Sequence, residues 1–141
     1  MERVGDIQYD WLERNLFLSH NFGDLKEDET RCLLDIIEDK IKDDPYFLWM
    51  VDVVDLTGMS PSARRICAER LRRLPDRAIA IVNAKFSQRI LVKLVLTAVA
   101  MLDSTQRNNE VSFFEDRESA KAWLLDYAQR REDSAKSTID T

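Results

Sequence analysis

Residues 46–74, YFLWMVDVVDLTGMSPSARRICAERLRRL, hold the pattern that decides the fold. They begin with an apolar run, 47–51, that is continuous rather than alternating, which is typical of a strand buried on both faces of a sheet covered by helices. Ser60 and Pro61 then predict a helix start, because serine accepts a backbone N–H at the cap and proline needs no partner at the first helical position. We expect the residues between, 52–59, to form an exposed loop at the carboxyl end of the strand, where open α/β sheets place ligands and contacts.

Strand and helix patterns alternate along the rest of the chain. The predicted segments are an antiparallel strand pair at 7–12 and 16–19, a helix capped near Asp24 and ending near 42, a strand at 47–51, a helix at 61–74, a strand at 78–82, a helix at 87–102, a strand at 111–114 and a helix capped at 115 or 116. This alternation implies crossover connections and a mainly parallel sheet. We therefore expect one α/β domain with a mixed, mostly parallel sheet of about five strands and with four helices.

The length and composition predict one domain that needs no disulfide or metal. A chain of 141 residues can bury a sizeable core, and we expect the domain to cover 1–131 and a polar, disordered tail to cover 132–141. Cys32 and Cys67 lie at apolar positions of predicted helices, so we expect both to be buried thiols in a reducing compartment. The N-terminus has no signal-peptide core, and the longest apolar stretch, 90–102, is too short to span a bilayer. These features predict a cytoplasmic protein with no transmembrane segment and no cofactor.

The charge is divided unevenly along the chain. The net charge is −5, but residues 61–98 hold nine Lys or Arg against two Asp or Glu, whereas 1–60 and 99–141 are acidic. A basic segment on an acidic protein argues against general nucleic-acid binding and is compatible with a local anionic partner. The alternative is that these basic residues form an exposed helix face whose charge is partly neutralised by nearby acidic residues. The basic residues concerned are Arg64, Arg65, Arg72, Arg73, Arg77 and Lys85.

The predicted third helix is apolar almost all the way round. We expect one row of its side chains to face the sheet, namely Ile90, Leu94, Ala98 and Met101. A second row is then left on another side, namely Val92, Leu96 and Val99. Three explanations stay open: deep burial under neighbouring helices, a homodimer interface, or a hydrophobic cleft for a lipid tail.

A family resemblance is carried by an ordered set of short segments between about residues 16 and 125. They are Val51-Asp52-Val53 leading into Ser60-Pro61-Ser62-Ala63-Arg64-Arg65, the strand at 78–82, and Phe113-Phe114 followed by Ala120 and Trp123-Leu124. Together with the element order, they resemble the STAS fold of bacterial anti-sigma-factor antagonists, in particular its SpoIIAA-like branch, also described as STAS/SEC14-like. The resemblance implies a small non-enzymatic domain that binds another protein, sometimes under phosphorylation control, or in some relatives a lipid or nucleotide.

The same resemblance bears on the start of the second helix. Members that act as phosphorylation switches carry an Asp-Ser pair there, whereas this chain has Met59-Ser60-Pro61-Ser62. Ser60 and Ser62 are the candidate phosphoacceptors, because a phosphate at a helix N-terminus is stabilised by the dipole and by free N–H groups. The alternative is that both serines serve only to start the helix.

Catalytic and metal-binding patterns are weak in this sequence. Asp52 and Asp55 lie near a strand end with no third carboxylate or histidine close in sequence, and we expect Asp52 to shape the loop through local backbone N–H groups. His20 has no serine or cysteine partner at catalytic spacing. We therefore predict that the protein is not an enzyme and has no metal site.

The function predicted from these observations is that of a regulatory protein-interaction module, and the family resemblance implies one like an anti-sigma-factor antagonist. Its partner would be a regulator, a kinase, an anti-sigma-type protein or a second copy of the chain. The alternative is a small-ligand carrier that binds an anionic lipid or a nucleotide between the arginines and the apolar third helix. The predicted interaction surface comprises Asp55, Thr57, Met59, Ser60, Ser62, Arg64, Arg65, Arg72, Lys93 and Leu96.

Overall fold

The computed structural model describes residues 2–13, 15–102 and 109–139, and over these residues the chain forms eight strands and four helices. The strands are β1 (Glu2–Val4), β2 (Ile7–Glu13), β3 (Leu16–Asn21), β4 (Gly23–Leu25), β5 (Tyr46–Asp52), β6 (Leu56–Met59), β7 (Asp76–Val82) and β8 (Asn109–Phe114). The helices are α1 (Glu27–Ile41), α2 (Pro61–Leu71), α3 (Phe86–Leu102) and α4 (Arg117–Ile139).

The main sheet has six strands in the order β1-β2-β3-β5-β7-β8. β1, β2 and β3 pair antiparallel, whereas β3, β5, β7 and β8 pair parallel. The predicted mixed, mostly parallel sheet with four helices is therefore confirmed. The additional strand, β1, has three residues, of which only Val4 is apolar, and so carries no alternating pattern from which it could be predicted.

A second, two-stranded parallel sheet pairs β4 with β6 and corrects two expectations. Residues 56–59, expected in a loop, form a strand, and Asp24, expected to cap the first helix, lies in β4 and accepts a hydrogen bond from Thr57 Oγ1 at 2.6 Å. The residue that precedes α1 is Lys26, which makes no side-chain cap. Strands of three or four residues are too short for hydrophobic periodicity, so the sequence pattern did not reveal them.

The central strands β5 and β7 are buried on both faces, as their continuous apolar runs predict. Successive residues belong to opposite cores because side chains alternate along a strand. Phe47 and Trp49 face the core beneath α1, α2 and α3, which we call the three-helix face. Leu48 and Met50 face the core beneath α4, which we call the α4 face.

Two further residues differ from their predicted environments. Cys32 is exposed on α1, whereas Cys67 is buried in α2. Arg77 is fully buried in β7, and its Nη1 donates to the carbonyl oxygens of Leu74 and Pro75, each at 3.3 Å. Arg77 therefore does not belong to the exposed arginines of the basic segment.

The orientation of α3 is opposite to the one expected. Val95 and Val99 are buried, whereas Ile90, Leu94 and Met101 are 45, 50 and 82% exposed. Both sides of this helix are apolar, so its sequence alone does not select the buried one. The packing of α3 on α2 and β6 determines which side of the helix is buried.

Helix α4 extends to Ile139, through most of the segment expected to be a disordered tail. The side chains of 132–136 are exposed, and Gln129 Nε2 donates to Asp133 Oδ1 one turn away, at 3.0 Å. Such spacing supports an exposed helix that has little to bury. Residues 140–141 lie outside the described part of the chain. None of the described helices is long and apolar enough to cross a membrane.

Candidate functional site

The start of α2 is built by two serines, as the sequence predicted. Ser60 has an extended backbone, and its Oγ accepts the N–H of Ala63 at 3.1 Å, while Pro61 occupies the first helical position. Ser62 Oγ lies 3.2 Å from Ser60 Oγ, and both serines are half-buried. The first turn of α2 therefore presents two neighbouring hydroxyls, one of which already serves as the cap.

A groove separates α2 from α3. It is open to solvent, has a volume of about 410 Å³ and is lined by Arg64, Arg65, Ala68, Leu94, Val95 and Ala98. The alanines leave this space because they are the smallest side chains along the contact. Arg64 is half-buried and Arg65 exposed, so the groove has an apolar floor and a cationic rim.

An apolar stripe runs along the outer side of α3. Phe86 is 79% exposed, and with Ile90, Leu94 and Met101 it follows the spacing of one helix face. Lys93 lies beside this stripe and is exposed. We call the stripe and the groove together the docking surface, because α3 contributes Leu94 to both.

The predicted interaction residues do not all lie together. Arg64, Arg65 and Lys93 lie at the docking surface. Arg72 follows the last residue of α2, about 12 Å along the helix axis from Arg64 at 1.5 Å per residue. Thr57 is engaged with β4 through its hydroxyl.

The inner side of α3 forms one wall of an apolar cavity of about 90 Å³. Met59 and Leu96, which the sequence placed on the interaction surface, are half-buried and line this cavity. Cys67 also lines it, and burial raises the pKa of its thiol to about 12. Its thiol is therefore protonated at neutral pH and behaves as an apolar group.

Polar side chains meet at the carboxyl edge of the parallel strands. Asp52 is 3% exposed at the end of β5, and its Oδ2 accepts from Arg117 Nε at 2.9 Å. Its Oδ1 accepts the N–H of Val54 at 3.1 Å and lies 3.4 Å from Asn83 Nδ2. The local backbone contact predicted for Asp52 is thus present, and the carboxylate also ties α4 to the sheet.

His20 extends this network at the end of β3. Arg117 Nη2 lies 2.9 Å from its Nδ1, and Asp55 Oδ2 lies 2.8 Å from its Nε2. Because a guanidinium can only donate, Nδ1 accepts, and the proton of the neutral ring is carried by Nε2 and donated to Asp55. The ring stacks on Phe22 at 4.3 Å. Both ring nitrogens are therefore engaged by charged neighbours rather than by a hydroxyl or a thiol.

Metal ligands do not cluster in the described ranges. Across 2–13, 15–102 and 109–139, no group of three or more His, Cys, Asp or Glu side chains is placed to hold a metal ion. Asp52 and Asp55 are instead engaged by Arg117 and His20.

One functional candidate, Asn21, was not predicted from the sequence. Asn21 is the last residue of β3, is 5% exposed and lines the apolar cavity. The available signal was an amide at the end of an apolar strand, because a buried amide needs hydrogen-bond partners.

A family model described as SpoIIAA-like matches residues 20–125. Among solved structures, an uncharacterised protein of the DUF3478 family with a SpoIIAA-like fold, from Shewanella loihica PV-4, has a TM-score of 0.60 and 17% identity over 84% of this chain and 91% of that chain. The anti-sigma factor antagonist SpoIIAA in its unphosphorylated form has a TM-score of 0.57 and 14% identity over 84% of this chain and 97% of that chain.

At these identities the two solved structures support the fold and nothing more specific. No curated protein matches the chain. The family model nevertheless spans most of the 141 residues, including β5, α2, β7 and α3. The resemblance predicted from the sequence is thereby confirmed, and the chain belongs to the SpoIIAA-like family.

Proposed function

We propose that the protein is a non-enzymatic regulatory module that binds a partner protein through the docking surface. The observation that carries this proposal is the apolar stripe on α3, in which Phe86 and Met101 are 79 and 82% exposed beside a groove with an arginine rim. A contiguous exposed apolar surface of this kind typically marks an interaction site. One solved neighbour is an anti-sigma factor antagonist, and we extend protein binding from that neighbour to this chain.

The partner that fits this surface is an amphipathic helix with acidic flanks. Such a helix would cover the stripe with its apolar face and place carboxylates opposite Arg64, Arg65 and Lys93. The local charge favours this choice. The net charge of the chain is −5, but the docking surface is basic and would attract acidic side chains. The partner would be a regulator, a kinase or an anti-sigma-type protein.

Phosphorylation would act at the edge of the same surface. Ser62 is the better acceptor of the two candidates, because Ser60 Oγ already accepts the Ala63 N–H and caps the helix. A phosphate on Ser62 would lie in the first turn of α2, close in sequence to Arg64 and Arg65. Added negative charge there would compete with an acidic partner for the arginines.

The proposal that the protein is not an enzyme rests on the hydrogen bonds of His20 at the carboxyl edge of the sheet. His20 is the one histidine of the chain, and both its nitrogens are engaged by Arg117 and Asp55. A general base needs a ring nitrogen directed at a proton that it can remove.

A ligand carrier is the second candidate, and the apolar cavity favours it. An anionic lipid or nucleotide fits less well than a neutral molecule, because none of the described residues that line the cavity is charged. An anionic group would have to lie outside, at the arginines of the groove.

The test is affinity capture from the native host, followed by binding measurements with the purified partner. Leu94→Asp should weaken that binding more than tenfold, because it places a charge in the centre of the apolar contact. The double variant Arg64→Glu, Arg65→Glu should weaken binding and flatten its salt dependence. Arg130→Glu with Lys136→Glu on α4 makes the same charge change away from the docking surface and should bind normally.

Two results would contradict the proposal. One is a captured partner that binds all four proteins equally. The other is sedimentation of the isolated chain as a dimer that Leu94→Asp converts to a monomer, because the stripe would then be occupied by a second copy.

A further inference from the structure

The two edges of the main sheet differ in how well they are protected. At one edge, β1 has three residues, and its Glu2 and Arg3 are charged and exposed. At the other edge, β8 has six residues, contains no proline or lysine and keeps an unbroken register with β7. Proteins protect sheet edges with short strands, charges, prolines or bulges, because an open edge pairs readily with another strand. β1 has such protection, whereas β8 lacks it.

The one charged residue of β8 does not guard this edge. The Oε1 atom of Glu110 lies 3.7 Å from Arg130, so the carboxylate is directed over the α4 face and faces an opposite charge there. Val111 and Phe113 lie on the other face and are half-buried against the core beneath the three helices. Within the described ranges, β7 is the only strand that pairs with β8. The outer side of β8 is therefore an unprotected edge flanked by apolar side chains.

The backbone of β8 determines which of its groups point outward. The carbonyl oxygen of Phe114 accepts the N–H of Asn83 at 2.9 Å, on the side of β7. Successive residues of a strand direct their backbone N–H and C=O groups to alternate sides, so those of Ser112 also point to β7. Those of Val111 and Phe113 point away from it. A strand added at this edge would therefore bond to Val111 and Phe113.

The sequence of β8 fits an antiparallel copy of itself. When Ser112 lies on a two-fold axis perpendicular to the sheet, Val111 lies opposite Phe113 of the second copy. These are the residues whose N–H and C=O groups point outward, and an aromatic side chain opposite a β-branched one is a favourable cross-strand pair. Glu110 then lies opposite Phe114 of the second copy, so this register opposes no like charges.

We propose that the protein forms a homodimer by antiparallel pairing of β8 with β8 of a second copy, centred on Ser112. The two main sheets then join into one, and both docking surfaces lie on the same side of it. The inference goes beyond the proposed function, because the edge of β8 is separate from the stripe and from the groove. A partner with two binding helices would bind such a dimer more tightly than it binds one copy.

The first test is sedimentation of the full chain over a range of concentrations, which should show a monomer–dimer equilibrium. Ser112→Glu should weaken the dimer about fivefold, because two carboxylates then face each other beside Glu110. An equimolar mixture of Ser112→Glu and Ser112→Lys should dimerise more strongly than either variant alone, because unlike charges then face each other. Ala122→Glu and Ala122→Lys make the same changes at an exposed position of α4 and should dimerise like the wild type.

Hydrogen exchange tests the same pairing without a substitution. The amides of Ser112 and Phe114 bond to β7 in the monomer as well as in the dimer, whereas those of Val111 and Phe113 are paired in the dimer alone. A higher protein concentration should therefore slow exchange at Val111 and Phe113 more than at Ser112 and Phe114. Thermal unfolding is the folding control for the Ser112 and Ala122 variants.

Three results would overturn the proposal. They are a chain that stays monomeric at every concentration, a mixture of the two Ser112 variants that dimerises no better than each alone, and outward amides that become protected only when a partner protein is added. In the last case the edge would receive a strand of that partner. A dimer that Leu94→Asp breaks and Ser112→Glu does not would contradict both this proposal and the docking proposal, whereas a monomer contradicts this one alone.

Discussion

The two faces of the main sheet are covered in different ways. On the α4 face one helix lies over small side chains of β7, Ala78 and Ala80, and its own Ala120 and Leu124 are fully buried. On the three-helix face, three helices cover large side chains and yet leave a cavity and an exposed stripe. Small residues let a helix approach a sheet closely, so the number of helices does not determine how completely a face is filled.

The helices of the two faces are also attached differently. Arg117 and Arg131 join α4 to the sheet through Asp52 at 2.9 Å and Asp76 at 2.7 Å. Helix α3 is anchored at its first turn, where Gln88 Nε2 donates to the carbonyl oxygens of Val53 and Leu56. Beyond that turn α3 lies mainly on α2. The α4 face is therefore joined to the sheet by two ion pairs, and the unfilled volume is found on the three-helix face.

The largest expected effect comes from deleting a leucine on each face. Leu124→Ala should lower the free energy of unfolding by about 3–5 kcal/mol, because a fully buried site cannot collapse around the lost atoms. Leu96→Ala should cost about 1–2 kcal/mol, because Leu96 is half-buried beside existing space. Urea unfolding followed by circular dichroism measures both, and equal losses would contradict the difference between the faces.

A smaller loss of stability is expected when a side chain is enlarged rather than shortened. Ala80→Leu should destabilise the protein by about 1–3 kcal/mol, because α4 leaves no room for a longer side chain on β7. Val95→Leu adds a methylene next to the cavity and should change stability by less than about 1 kcal/mol in either direction. Thermal unfolding of the pair decides the matter: a tolerated Ala80→Leu would mean that the α4 face is not filled.

The smallest expected effect on stability comes from the helix caps, Ser60 at the start of α2 and Asp116 at the start of α4. Ser60→Ala should cost about 1 kcal/mol at any pH at which the protein is folded, because a serine cap does not titrate. The Ser119 backbone N–H and hydroxyl, which bond to the Asp116 carboxylate, lower the pKa of Asp116 at the start of α4. A lowered pKa in the folded state adds stability above the unfolded pKa, and that stability is lost as the pH falls through the folded pKa.

Asp116→Asn is the matched control for this pH dependence. Asparagine still caps the helix but does not titrate, so the variant should lose less stability than the wild type between about pH 7 and about pH 3. Urea midpoints at the two pH values provide the comparison. If the two proteins lost the same stability between these pH values, Asp116 would not contribute to the loss of stability in acid.

The elements that could be predicted were those with long patterns. The apolar runs of β5 and β7 and the pair Ser60-Pro61 each determine a local structure. The order of these elements then gave the fold class. The three-residue strands β1 and β4 were missed because no periodicity is visible over so few residues.

The positions of the predicted interaction residues could be predicted only in part, for a related reason. Arg64, Arg65 and Lys93, chosen for their charge, lie beside the groove or the stripe, whereas Leu96 and Met59 are half-buried and line the cavity. A helix that is apolar on two sides does not reveal in sequence which side its neighbours will cover. The buried side of α3 is determined by its packing on α2 and β6, which are distant in sequence.

The cysteine in the cavity wall makes the motion of that wall measurable. A thiol reagent reacts with the thiolate, and the buried Cys67, with its pKa near 12, should therefore react only when α3 and α2 separate. Cys32, exposed on α1, reports the reaction rate of an accessible thiol in the same molecule. The ratio of the two labelling rates then gives the fraction of time for which Cys67 is open to solvent.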